Sequence, residues 1–220
     1  MQLKADWGLI TTGAAVVLII LMVYRVEKKS SFNSRQIALV GALTALSAAG
    51  RAATGVGMLF LQPTMFLPLI VGYAMGARVG VFVGAMTPLI SNFFMGQGPW
   101  TPFQMLAWGL IGCSGAMFRY ILPGARPLYF SIISFAWGYL YGAIMDIWQW
   151  SAFMHPLTLQ GYIVLWIAGF GFDSMRALGN LFFCGALGAQ ALKVLNYYQK
   201  KLHVEYIESL DSPASSDSRQ

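Results

Sequence analysis

Charge is what this 220-residue chain has least of. Only 10% of its residues are Asp, Glu, Lys or Arg, against about 25% in an ordinary soluble domain. That excludes a conventional water-solvated surface. The two cysteines, Cys113 and Cys184, both lie in apolar runs and match no zinc or redox spacing. They read as small packing residues. The two histidines, His155 and His203, are far apart in sequence, with no neighbouring carboxylate or cysteine to suggest a metal. No Gly-x-x-x-x-Gly-Lys-Ser/Thr loop occurs, so the chain does not hydrolyse ATP by that route. No acidic pair of the kind that holds magnesium against a diphosphate is present. No nucleophile–base pair stands out either. The expectation is a protein with no catalytic set, no metal and no cofactor.

Apolar length fills the space that charge leaves. Hydrophobic residues make up 57% of the chain, in runs that approach the roughly 20 residues a helix needs to cross a bilayer. Seven runs qualify, some with polar interruptions: 7–24, 35–53, 63–77, 79–95, 102–122, 127–150 and 174–198. The fold expected is an all-α polytopic transmembrane bundle. The first run lacks a small-x-small cleavage site and runs into Arg25, Lys28 and Lys29, as an anchor does. Gly161 to Phe172 is apolar but too short to cross alone. It reads as an interfacial or re-entrant piece, or as the first part of a broken final helix.

The net charge of +6 would suggest nucleic acid in a soluble protein. Here it reports topology. Arg25, Lys28, Lys29 and Arg35 separate runs one and two, and Arg78 separates three and four. Arg119 and Arg126 flank the next basic connection, and Lys193, Lys200 and Lys201 follow run seven. Every second connection is basic, which assigns that side to the cytoplasm, with the N-terminus outside and the C-terminus inside. Lys4, Arg51 and Arg176 are the outer exceptions. The polar tail 203–220 is expected to be disordered.

Small residues mark the expected helix contacts. Ala38, Ala42, Ala45 and Ala49 recur near the helical repeat and form one smooth stripe. It is long enough to serve as a docking surface for another membrane subunit. Gly72/Gly76, Gly80/Gly84 and Gly138/Gly142 read as packing pairs.

Polar and aromatic residues gather at the outer ends of the runs. They are Arg51, Gln62, Asn92, Gln97, Trp100, Gln104, Asp146, Asp173, Arg176 and Asn180. Ionisable residues in spans are expensive and usually face the bundle interior, so this ring reads as a ligand pocket open to the outside. Simpler readings stand beside it. Trp148 and Trp150 fit an interfacial belt. Asp173 fits an N-cap of the last helix, with Arg176 paired to it one turn on. Arg51 and Asp146 fit a pair across helices.

Three segments carry a family resemblance. They are Ala38-Leu39-Val40-Gly41-Ala42-Leu43-Thr44-Ala45, the Gln62-Pro63-Thr64 start of the third run, and above all the run from Asn92 to Met105 around Gly96-Gln97-Gly98-Pro99-Trp100-Thr101-Pro102. With the closing run from Phe172 to Asn180, they resemble the S-components of energy-coupling factor transporters over about residues 35–200. The resemblance implies a six-helix core over 31–202, preceded by one extra N-terminal helix and basic loop at 1–30. It implies a bacterial plasma-membrane subunit that captures a vitamin from outside. Such a subunit docks through Ala38, Ala42, Ala45 and Ala49 on a membrane coupling subunit carrying two cytoplasmic ATPases. The branch it most resembles is associated with cobalamin or related corrinoids. Rival readings are an S-component for another micronutrient, a membrane enzyme acting on a lipid or isoprenoid, and a structural membrane scaffold.

Overall fold

The computed structural model describes residues 6–27, 32–57 and 65–211. Gln62, with Lys4, Pro63 and Thr64, lies outside them. Seven helices and no strand occur among the described residues. They are α1 (Trp7–Glu27), α2 (Ser34–Gly57), α3 (Phe66–Met75), α4 (Ala77–Met95), α5 (Thr101–Ile121), α6 (Pro127–Phe153) and α7 (Leu159–Asp211).

Local chemistry sets several of the boundaries. Asn33 Oδ1 accepts from the Gln36 amide at 2.8 Å, and Gln36 Oε1 accepts from the Asn33 amide at 3.2 Å. This reciprocal box starts α2. Thr158 Oγ1 accepts from the Gly161 amide at 3.1 Å and starts α7. Between α3 and α4 a single residue, Gly76, makes the turn at φ 94°, a conformation that only glycine adopts freely. Its amide donates back to Gly72 O at 2.9 Å. Gly76 is therefore a turn residue and not half of a packing pair. Gly96, at φ 104°, ends α4 in the same way.

Five helices are long and apolar enough to cross a membrane: α1, α2, α4, α6 and α7. α5 has the length but a lower hydropathy. The third expected span is the clearest departure. α3 has ten residues and is about 15 Å long, half of a bilayer core. It is buried on nearly every side against α4, α5 and α7, with Leu69, Ile70 and Val71 fully enclosed. Its apolar run marks a core helix instead of a spanning one.

Glycine makes that burial possible. A Cβ at Gly72 would strike the Gly112 carbonyl, one at Gly84 the Trp108 carbonyl, and one at Gly115 the Leu69 carbonyl. At Gly80 it would come within 2.8 Å of the Gly112 oxygen. The three backbones α3, α4 and α5 thus touch directly, as bundles in lipid require when no hydrophobic drive holds them.

α6 and α7 form a long antiparallel pair. Trp150 Nε1 donates to Thr158 O at 2.9 Å across their turn. Tyr162 Oη donates to Ala143 O at 3.0 Å. Farther along, Gly138 meets Ala177 so closely that a Cβ would lie 2.6 Å from the Ala177 Cα. α7 is unbroken for 53 residues, about 80 Å. Residues 161–172 are its first turns, not a separate piece, because no proline interrupts 159–211. Its end also departs from the expectation of disorder from 203. Residues 202–211 are rich in Leu, Val, Glu, Tyr and Ile, without Gly or Pro, and the helix continues through them.

The basic connections meet at one end of the bundle. Arg78, after α3, pairs with Glu27 at the end of α1 at 3.4 Å. Arg119 Nη1, near the end of α5, donates to the Ala74 carbonyl at the end of α3 at 2.8 Å. The polar residues of interest lie toward the opposite end.

Candidate functional site

Two polar networks meet inside the bundle. The first starts from Arg51 in the last turns of α2, which is only 3% exposed. Its Nη1 donates to Ser91 Oγ and to Asn92 Oδ1, the latter at 2.8 Å. Asn92 passes the chain on. Its Nδ2 donates to Gln104 Oε1 at 2.7 Å and to Thr101 Oγ1 at 3.1 Å. Thr101 donates to Gln97 Oε1 at 3.0 Å, and Gln97 Nε2 donates to the Leu89 carbonyl at 2.8 Å. A continuous path therefore runs from a buried cation to an exposed amide in the α4–α5 turn. The Arg51 guanidinium also lies 5.6 Å over the Trp108 ring, a favourable site for a cation in an apolar interior.

The second network sits on α6 and α7. Arg176 pairs with Asp173, three residues earlier on the same helix, and lies 4.7 Å over the Tyr141 ring. Gly142 leaves the space that the Asp173 carboxylate fills. Asp146, one turn beyond Gly142, has Asp173 and Arg176 as its charged neighbours. Asn180 is fully buried. Its Oδ1 accepts from the Met65 amide at 3.1 Å and its Nδ2 donates to the Arg176 carbonyl at 2.9 Å. It thereby fixes the start of α3 roughly 30 Å along α7 from Leu159. Tyr141 and Arg176 are also electrostatic neighbours of Arg51, so the two networks adjoin.

Four charged side chains of both signs, Arg51 of α2, Asp146 of α6, and Asp173 and Arg176 of α7, thus lie near one another. Three polar atoms there are buried without a hydrogen-bond partner: Arg51 Nε, Trp108 Nε1 and Asp146 Oδ2. Each such atom costs about 1–3 kcal/mol, and charged ones more. Two are donors and one is an acceptor.

Several expectations change on contact with this geometry. Arg51 does not pair with Asp146; it is held by Ser91 and Asn92. Asp173 does not cap a helix, because it lies in the interior of continuous α7. Its pairing with Arg176 is as expected. Trp148 packs edge-on to Trp100 at 5.6 Å and to Phe153 at 5.5 Å, so it is part of an aromatic cluster and not a lone belt residue. Gln97 and Trp100 lie at the rim, while Asn92, Gln104 and Asn180 are interior. Ser91, Thr101, Trp108 and Tyr141 belong to the networks but were not expected there. Ser91 and Thr101 adjoin residues that were singled out, which was a usable signal. Trp108 and Tyr141 sit within apolar runs and gave none.

The four alanines of α2 share one face. Ala38, Ala42, Ala45 and Ala49 are all exposed on the bundle's outside. Thr44, Ser47, Ala48 and Arg51, on the opposite face of the same helix, are buried. Only α4 packs extensively on α2.

The chain is a helical membrane protein. No family model, curated protein or solved structure matches it.

Proposed function

We propose that the chain is the substrate-binding S-component of an energy-coupling factor importer, taking up a vitamin of the cobalamin or related corrinoid class. The observation that carries this reading is the buried charged cluster with its unpartnered atoms. A bundle in lipid has little reason to keep two buried and two half-buried charges together unless they perform work. Unpartnered donors and an acceptor beside amides and indoles suit capture of a polar micronutrient better than a purely structural role. The Gln97–Trp100 turn supplies a rim where a solute would first be held.

The two faces of α2 support the second half of the reading. Its inner face reaches the polar cluster through Arg51. Its outer face is a flat strip of alanines suited to a membrane coupling subunit. Ligand occupancy and docking would then be linked through one helix. ATP would be hydrolysed by partners in the cytoplasm, and the chain itself would catalyse nothing. In this scheme α2 to α7 form the six-helix core, α1 is the additional helix, and the basic end of the bundle faces the cytoplasm of a bacterial plasma membrane. The test is a binding panel on the purified chain. Saturable binding of a corrinoid supports the substrate assignment. Binding of another vitamin keeps the importer and replaces the substrate. Failure of every micronutrient to bind folded protein overturns the reading.

A further inference from the structure

A cavity lies at the basic end, away from the polar cluster. Its volume is about 310 Å³, and it is lined by Tyr73, Arg119, Pro123, Gly124, Ala125, Leu192 and Asn196. Its walls are held firmly. The Tyr73 hydroxyl donates to the Leu122 carbonyl at 3.1 Å and accepts from the amides of Gly124 at 2.9 Å and Ala125 at 3.0 Å. The α5–α6 turn is thereby folded around one phenol. Arg119 contributes a guanidinium of which Nη1 alone is engaged, with the Tyr73 and Ala74 carbonyls at 3.3 and 2.8 Å. Nε and Nη2 make no hydrogen bond to the described residues.

Among the described residues that line it, Arg119 is the one charged side chain. Lys200 lies one turn beyond Asn196 on α7, hence on the same face. Lys193 adjoins Leu192, and Arg126 follows Ala125 directly. An edge of guanidinium without a carboxylate, beside the Asn196 amide, is the arrangement that receives a tetrahedral oxyanion bidentately. Basic pockets between transmembrane helices at this level take anionic headgroups.

We propose that this cavity binds a phosphate group, held by Arg119 and Asn196 and presented by an anionic lipid of the adjoining leaflet or by a free anion. The site is separate from the solute site and does not depend on the importer reading.

The test uses the full chain in detergent. Native mass spectrometry follows retention of phosphatidylglycerol against phosphatidylcholine, and thermal unfolding follows inorganic phosphate. The variants are Arg119→Gln, Asn196→Leu and, as a control for diffuse charge, Lys201→Gln. Arg119→Gln also removes a contact to the end of α3, so Asn196→Leu decides if that variant does not fold. Preferential retention of phosphatidylglycerol should fall roughly tenfold in Asn196→Leu, the scale of one lost charge-assisted hydrogen bond, and persist in Lys201→Gln. A lipid-independent rise in unfolding temperature with inorganic phosphate, absent in Asn196→Leu, would support the site with a free anion as its source. Equal retention of both lipids with no phosphate effect would overturn the proposal. So would an equal loss in Lys201→Gln.

Discussion

Asn92 is the residue on which most depends. Its amide joins the Arg51 cation to Thr101 and Gln104, so three helices share one side chain. Asn92→Ala leaves a buried guanidinium and a buried amide short of partners. The expected loss is about 1–3 kcal/mol of stability, read as a lowered unfolding temperature in detergent. An unchanged transition would mean that water replaces the amide without cost. Trp100→Ala and Gln97→Ala act at the rim, where they remove one aromatic contact and two hydrogen bonds of an exposed amide, and should lower stability less than Asn92→Ala does. Each should weaken solute binding by roughly 1–3 kcal/mol if the side chain touches ligand. Titration of the two variants by calorimetry separates a contact from a bystander. Unchanged affinity in both would place the solute elsewhere.

What the sequence disclosed at this scale followed from rarity. Arg51, Asp146, Asp173 and Arg176 stand out because charge inside an apolar run is costly. Their partners were less visible. Whether Arg51 faces Asp146 or Asn92 depends on helix rotation, which no run of residues specifies. Tyr141 and Trp108 are indistinguishable in sequence from lipid-facing aromatics, and only packing moves them inward.

Among the helices, α3 and α7 show where a reading by hydropathy reaches its limit. Both carry apolar runs, yet α3 is short and enclosed while α7 far exceeds a bilayer. Apolarity reports exclusion from water, whether by lipid or by protein. The glycines distinguish the two cases. Gly72, Gly80, Gly84, Gly112 and Gly115 bring three backbones into contact around α3. Gly112→Ala would press a methyl group against the Gly80 carbonyl. Overpacking of this kind costs about 1–3 kcal/mol, measurable as a lower unfolding temperature; a neutral result would show that the α4–α5 contact yields easily. Gly41, on the exposed face of α2 with open space around it, is the matching control, and Gly41→Ala should be tolerated.

The same helix α2 permits a cleaner separation. Ala42 and Ala45 are exposed, so Ala42→Leu and Ala45→Leu should change stability by no more than about 0.5 kcal/mol. Solute binding to the isolated chain should also persist. Uptake by cells containing the partner subunits should fail, since a bulky side chain interrupts the smooth face. Loss of binding in a folded Ala42→Leu variant would contradict separate roles for the two faces.

Across the whole molecule, the design is one of graded polarity. Apolar side chains such as Leu9, Ile10, Ile20 and Leu21 of α1 point outward. The backbone-to-backbone seam of α3, α4 and α5 forms the centre. Among the described residues most charge lies at the basic end and in one interior cluster, and that cluster is the feature a membrane bundle has least reason to keep without use. The central claim is that it receives a polar micronutrient. The most direct measurement is mass spectrometry, with an absorption spectrum, on ligand carried through purification from cells grown with cobalamin. The same is done in parallel on Arg51→Met. The account predicts a corrinoid at near one-to-one occupancy in the natural chain and little in the variant. A folded natural chain that carries no micronutrient, and binds none across a panel, would contradict it.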